Sequence, residues 1–311
     1  MAAFTTFDRA RLEQHLNLFE LGELVSFSPV EAGIENSNYL VTLSDGGGES
    51  EYILTILESL SFDEVSFFNA LLGHLANQGL PVPVPRQTLD GMSCTIFCGK
   101  PSILCPKLTG SNPSIVDGPG SHETGRALAR IHLASDSFPL SPEKIRRNPY
   151  SPGWAKSTLR QAKSRLSAED YALLSDYVAC YEVASRLDLP RGIIHGDLFR
   201  DNTLFAHGHL TGIIDFYHAC HDVLSLDLAI TLNDWCSDKT GGIDTHLATE
   251  MIAGYESVRS LTTLEHAMLQ DLQKAAAMCF VLSRLQSGEN GQYLKDPEEI
   301  LRIARALAAT G

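Results

Sequence analysis

Ile193-Ile194-His195-Gly196-Asp197-Leu198-Phe199-Arg200-Asp201-Asn202 is the stretch on which the reading turns. A short apolar strand delivers a histidine, then an aspartate, and five residues after that an asparagine. A second apolar run ends in Ile213-Ile214-Asp215-Phe216, and His207-Gly208-His209 supplies a turn between the two. Transfer of a phosphoryl group needs a carboxylate to orient and deprotonate the attacking hydroxyl, and oxygen ligands to hold Mg²⁺ on nucleotide phosphates. Asp197 fits the first role; Asn202 and Asp215 fit the second. No proton in such chemistry calls for an acid at His195, so it is read as pinning the loop through backbone hydrogen bonds.

On the C-terminal side of this segment, and on the N-terminal side back to about residue 122, the spacing is mainly helical. His122–Ala134, Trp154–Leu166, Glu169–Leu187 and most of the chain from Asp244 onward follow that period. Asp227, within Ser225-Leu226-Asp227-Leu228-Ala229, is expected to brace a helix and the catalytic loop. The first third differs. After a short amphipathic helix ending near Leu21, strands are expected at Val25–Val30, Tyr39–Leu43 and Tyr52–Leu57, then a helix over Phe62–Gln78 closed by Gly79 and Pro81. Further strands are expected at Arg86–Leu89 and Ser93–Phe97, joined at Asp90-Gly91, and over Pro101–Leu108. Ser111–Gly120 reads as a linker. The fold class is α+β: a two-lobed, protein-kinase-like fold with a small antiparallel-sheet lobe over 1–108, a larger helical lobe over 109–311, and a cleft between them.

Composition excludes several classes. Among 311 residues, 38 acidic against 24 basic side chains give a formal charge of −14, a field that repels nucleic acid and anionic membranes. The seven cysteines are odd in number and without paired spacing, which argues against a disulfide framework and for a reducing cytoplasm. With no signal-peptide pattern and no long apolar run, a soluble cytoplasmic protein acting on a small molecule is expected. The oligomeric state is not legible.

The protein-kinase pattern H-R-D-L-x-x-x-N is matched except that Gly196 stands in place of the arginine. A phosphorylated activation loop has nothing to pair with there, so a protein kinase is not expected. Glu31 to Tyr39 lies between two strands where a kinase places its phosphate lid. Gly33 is its one glycine, and Asn36, Ser37 and Asn38 could donate to phosphate. On the third strand Thr55 stands where a kinase carries its phosphate-binding lysine, and Glu64 is the candidate for that lysine's usual partner. His218-Ala219-Cys220-His221-Asp222 is read as a loop beside the metal site, not as a zinc centre.

His195-Gly196-Asp197 with Asn202, Ile214-Asp215-Phe216 and the helix Gly125-Arg126-Ala127-Leu128-Ala129-Arg130-Ile131-His132 together resemble the aminoglycoside phosphotransferase and choline kinase superfamily. Ala32–Tyr39, Tyr52–Glu58, Gly79–Pro83 and Asp227–Cys236 are similar, within it, to the bacterial homoserine kinases of the phosphotransferase-like type, where a threonine in place of the lysine is expected. The resemblance implies ATP and Mg²⁺ as cofactors, adenine against the connector at Leu104 to Leu108 with Lys107 in the nucleotide site, and L-homoserine as acceptor. Such a zwitterion needs a cation for its carboxylate, offered by Arg200 or Arg284, and an acid for its ammonium, offered by Asp234. Asn233 and Tyr217 are further candidates for the acceptor pocket. Other hydroxylated acceptors (hydroxylysine, choline, methylthioribose, an aminoglycoside) stay open, as does a nucleotide-binding regulator without turnover.

Overall fold

The alternation Ser37, Tyr39, Val41, Leu43 along Ser37–Ser44 puts every second side chain on one buried face, the signature of a strand covered on one side. In the computed structural model, which describes residues 4–30, 35–139, 146–289 and 295–309, this run is β2 of a five-stranded antiparallel sheet. The strands β1 (Glu23–Pro29), β2 (Ser37–Ser44), β3 (Glu49–Ile56), β4 (Thr95–Phe97) and β5 (Lys100–Pro106) lie in the order β1-β2-β3-β5-β4. Helix α1 (Arg9–Leu16) lays Leu12 and Leu16 into the core that Tyr39, Val41, Leu43, Leu54 and Leu104 form. Helix α2 (Phe62–Asn77) follows β3; it opens on a capping box between Ser61 and Glu64 and buries Val65, Phe68, Leu71 and Leu75. Gly79, at φ +75°, takes the left-handed conformation that stops it.

The chain divides into two compact units, Met1–Thr109 and Gly110–Gly311. In the second, α3 (Gly118–Ser135) and α7 (Thr245–Glu256) cross closely at two glycines. A Cβ on Gly125 would stand 2.0 Å from the Met251 carbonyl oxygen, and one on Gly254 2.0 Å from that of His122. Helices α4 (Pro152–Gln161) and α5 (Ala168–Ala184) share one core with α8 (Thr263–Glu289) and α9 (Pro297–Ala309), built from Leu174, Tyr181, Met278, Val281 and Leu301 among others. Helix α6 (Leu224–Trp235) is buried along its whole length except at Asp234. Two strand pairs complete the unit, β6 (Arg191–Ile194) with β9 (Cys220–Val223) and β7 (Thr203–Ala206) with β8 (His209–Ile213). His207 and Gly208 both have positive φ between β7 and β8, as a two-residue hairpin turn requires.

Three local expectations are corrected. Arg86–Leu89 is not a strand, and Asp90-Gly91 does not join a hairpin. Pro81, Pro83 and Pro85 lack the N–H that a ladder needs, and Arg86 makes one bond, to the Leu104 carbonyl at 2.8 Å. The hairpin here is β4–β5, turning at Cys98-Gly99, both with positive φ. Helix α3 begins at Gly118, inside the expected linker, because Asp117 caps it through the Gly120 N–H.

Candidate active site

The site lies in the helical unit and grows from β6. Ile194 ends the strand; His195 turns inward and is fully buried; Gly196 adopts φ +79°. A Cβ there would come within 2.9 Å of the His218 carbonyl oxygen, so the arginine of the protein-kinase pattern is excluded by backbone and space alike. Leu198 and Phe199 are buried, with the Phe199 ring 4.9 Å from that of Phe280, and they anchor the loop on either side of its polar residues. Arg200–Asn202 then forms one 3₁₀ turn.

Asn202 Nδ2 donates to the backbone oxygen of Asp197 at 2.8 Å and to its Oδ2 at 3.0 Å. This fixes the Asp197 carboxylate and leaves the Asn202 side-chain Oδ1, not its backbone oxygen, as the atom available to a hard cation. The Ile214 N–H donates to the Asn202 carbonyl at 3.0 Å, which ties the β8 end to the loop. Asp215 follows in the left-handed region, φ 64° and ψ 57°, a conformation costly for a non-glycine residue and common at functional positions. Burial raises the Asp197 carboxyl to about 8; the Asp215 charge adds to this, while His218 and Lys295 pull against it. Two carboxylates that disfavour each other's charge form a setting that a cation relieves.

His195 donates from Nε2 to the Ile214 carbonyl (3.1 Å), and its Nδ1 accepts from the Asp197 N–H (3.2 Å). Burial pushes the imidazole down to about 4, so it is neutral at pH 7 and serves as a fixed strut. Asp227, on α6, accepts from the backbone N–H of His195 (2.6 Å) and of Gly196 (2.8 Å), and from His132 Nε2 (3.0 Å). Burial works to raise its carboxyl, but the His132 hydrogen bond and the two imidazoles outweigh it and hold the group below the usual carboxylate range. His132 in turn accepts from the Tyr255 hydroxyl (2.7 Å), which Arg259 bonds at 3.1 Å. Asn112 closes the far side, donating to the carbonyls of Asp201 and Thr203.

The residues expected at the acceptor divide. Arg200 and Asp234 stand together: Asp234 Oδ2 accepts from the Arg200 N–H (2.7 Å) and Nε (3.1 Å), with both side chains partly open to solvent. Tyr217, half-buried, lies in the 3₁₀ turn after Asp215. Asn233 is instead tied to Gln273 by two hydrogen bonds, which join α6 to α8. Arg284 is buried and bonds the Asp296 carbonyl (2.8 Å) and Glu299 (3.0 Å), so its charge holds α9 against α8. Lys295, which the sequence reading missed, pairs with Asp201 at 2.9 Å and lies over the Phe199 ring. His218, set aside with the possible zinc cluster, stacks on Tyr150 beside Asp197.

In the sheet unit, Gly33 lies outside the described residues. Ser37 Oγ accepts from the Phe4 and Thr5 N–H groups and donates to Glu58; Asn36 Oδ1 accepts from the Glu58 N–H. Thr55 donates to Asn38 Oδ1 at 2.7 Å, a neutral bond in the place of the lysine ion pair. Glu64 is occupied by its capping box with Ser61. Leu104 is a core side chain of β5, and Lys107 pairs with Glu51 at the surface.

An oxygen-lined loop between two short strand pairs, braced from a buried helix, is the architecture of a phosphotransferase. A model of the phosphotransferase enzyme family matches residues 26–261, and the chain belongs to that family. Two near full-length relatives carry the same name. A homoserine kinase of Neisseria meningitidis serogroup B is 36% identical over 99% of this chain and 100% of its own. A homoserine kinase of Methylobacillus flagellatus is 35% identical over 98% and 95%. Among solved structures, amicoumacin kinase in complex with AMP-PNP, Ca²⁺ and Ami aligns with a TM-score of 0.75 at 16% identity, covering 98% of this chain and 94% of that one. Spectinomycin phosphotransferase aligns at 0.67 and 16%, covering 98% and 99%. These two likenesses establish the two-lobed kinase-like fold. Among the described residues, no helix is long and apolar enough to cross a membrane.

Proposed function

We infer that this chain is a homoserine kinase, transferring the γ-phosphoryl group of ATP to the side-chain hydroxyl of L-homoserine. The observation that carries the reading is its identity of about a third to homoserine kinases over nearly their whole length, joined to an intact Asp197–Asn202–Asp215 arrangement. Asp197 receives the proton of the attacking hydroxyl. His195, Asp227 and Asn202 hold it in place, so that orientation and not side-chain search sets the barrier. Asn202 and Asp215 present only oxygen donors, which suits Mg²⁺; bound there, it would neutralise charge on the transferring phosphoryl group. The partly open Arg200–Asp234 pair takes the zwitterion, guanidinium to carboxylate and carboxylate to ammonium. Asn36, Ser37 and Asn38 are engaged by their own neighbours, so the sheet unit is proposed to meet the nucleotide through backbone groups there, and through Leu104 and Lys107. The free state of all seven cysteines agrees with a cytoplasmic setting.

The test is ADP production with Mg-ATP across L-homoserine, hydroxylysine, choline, methylthioribose and kanamycin. Preference for L-homoserine, with kcat reduced about 10²–10⁴-fold in Asp197→Ala, supports the reading. Preference for another acceptor overturns the substrate, and a loss below tenfold removes Asp197 from the role of base.

A further inference from the structure

The helical unit holds a cavity of about 480 Å³ that the chemistry above does not use. Its polar lining includes Arg147, Asn148, Ser151, Arg191, His221 and Asp222. It sits at the Arg191/Val223 end of the β6–β9 pair, whereas the catalytic loop leaves from the Ile194/Cys220 end. Four strand residues separate the two ends, about 10 Å at the usual rise. The volume falls in the range of small-ligand pockets, roughly 300–1,000 Å³. We propose that this cavity binds a small anion, a carboxylate or phosphate, and that its occupancy is felt at the catalytic loop through the segment Arg146–Tyr150.

Three features give the cavity its sign. Arg191 is matched by Asp222 (3.1 Å) and also bonds the Ser185 carbonyl (3.2 Å), so this pair is near neutral. Asp222 is further quenched by Asn148 Nδ2 (2.7 Å) and by the Val223 N–H (2.8 Å). Arg147, by contrast, is exposed and enters no ion pair or hydrogen bond through its side chain among the described residues, which leaves a full positive charge on the rim. The N-terminus of α4 adds to it. Ser151 and Pro152 line the cavity, and the helix has no acidic residue in its first turn, so its partial positive charge is uncompensated. An unpaired guanidinium and a helix N-terminus at one cavity, with its single lining acid already paired, select an anion over a cation or an apolar ligand.

The route to the loop is continuous. Arg147 bridges to His221, and the His221 N–H donates to the Arg146 carbonyl at 2.8 Å. Asn148 Oδ1 accepts from the Tyr150 N–H at 2.8 Å. The Tyr150 ring lies parallel to His218 at 6.4 Å, and the His218 carbonyl abuts Gly196. An anion that draws Arg147 inward therefore acts on a segment whose other end touches the residue before Asp197.

Binding can be read without turnover, because Trp154 is in the first turn of α4 and 4.8 Å from Tyr150. Inorganic phosphate and, separately, succinate are titrated into the full-length protein at constant ionic strength, with sodium chloride as control, while tryptophan fluorescence is followed. The expected result is a saturable change with one of the two anions. It should persist in Asp197→Asn and be weakened at least about tenfold in Arg147→Ala, the loss of one charge-assisted contact. Which anion saturates decides between phosphate and carboxylate. The coupling rests on the homoserine kinase reading: the anion should shift the KM for L-homoserine at least about twofold in wild type and not in Arg147→Ala. No saturation beyond the chloride control, equal affinity in Arg147→Ala, or displacement by excess ADP overturns the site. An unchanged KM with binding intact overturns the coupling alone. Absence of turnover on every acceptor refutes the function and leaves the binding result standing.

Discussion

Replacing Asp227 by asparagine tests the brace behind the catalytic loop with almost no change of shape. In the native unit three donors converge on one carboxylate: the N–H groups of His195 and Gly196, and His132 Nε2. Asparagine offers one acceptor oxygen. Placed at the Oδ2 position it keeps His195 and His132, but it aims its own N–H₂ at the Gly196 N–H; flipped, it loses the other two. One charge-assisted bond is worth about 1.5–3 kcal/mol, and the retained bonds lose their ionic character. The sum is about 3–5 kcal/mol, the range found on breaking a buried charged contact. Both tryptophans of the chain, Trp154 and Trp235, lie in the helical unit, so urea unfolding followed by their fluorescence reports the unit that carries the lesion. Since Gly196 precedes Asp197, the loop shifts, and a displacement near 1 Å costs about 10²-fold in kcat. Little change is expected in the KM for ATP. A stability loss under about 1 kcal/mol with kcat within about threefold of wild type would refute the brace. A cycle with His132→Ala should show coupling of at least about 0.5 kcal/mol, since the two share one bond.

Gly125→Ala should destabilise the helical unit by about 3 kcal/mol or more, since its Cβ meets backbone at 2.0 Å and helices cannot yield as side chains do; urea unfolding checks it. His195 titrates near 4 folded and about 6.5 unfolded. The unfolded chain therefore binds the extra proton, and the stability present above pH 6.5 is lost as pH falls toward 4. About 2 kcal/mol should disappear between pH 7 and pH 5, and the difference between wild type and His195→Gln in urea isolates it. Asp215→Asn should raise the Mg²⁺ concentration for half-maximal ADP production at least about tenfold, measured at fixed ATP. Arg200→Gln should raise the KM for L-homoserine about tenfold or more with a smaller change in that for ATP; equal effects on both would remove Arg200 from the acceptor.

The first three strands, the helix after them and the helical character of the second unit were legible because local periodicity and turn chemistry agree. Phe62–Gln78 carries its cap, its apolar stripe and its stop in one window, and the observed α2 differs from it by one residue. Arg86–Leu89 failed for the opposite reason. Its composition suits a strand, but the alternate prolines before it remove the donors that pairing requires. At the site, the loop residues could be read because the aspartate and the asparagine it bonds are five positions apart. Arg284 with Glu299, Asn233 with Gln273 and Lys295 with Asp201 could not. Each pair joins elements distant in sequence, and a charged residue type does not reveal whether its partner is protein or ligand. His132 had a signal, its place in the Gly125–His132 helix, but not one that named Asp227 as its partner.

Charge pairs of this kind bear on how an acidic chain would select a zwitterionic amino-acid head group at the proposed acceptor site. Two ion pairs flank the catalytic loop, Arg200 with Asp234 and Lys295 with Asp201. A lone cation would admit any carboxylate, and a lone acid any amine, including choline and the aminoglycosides. A near-neutral pair open to solvent admits neither strongly, because entry of one charge leaves the opposite member without a partner. A zwitterion exchanges both at once, carboxylate for carboxylate and ammonium for guanidinium, so no charge is stranded. On the proposal that the Arg200–Asp234 pair takes the acceptor, discrimination then comes from the cost of unpairing as well as from contact, which would favour an α-amino acid over choline or an aminoglycoside.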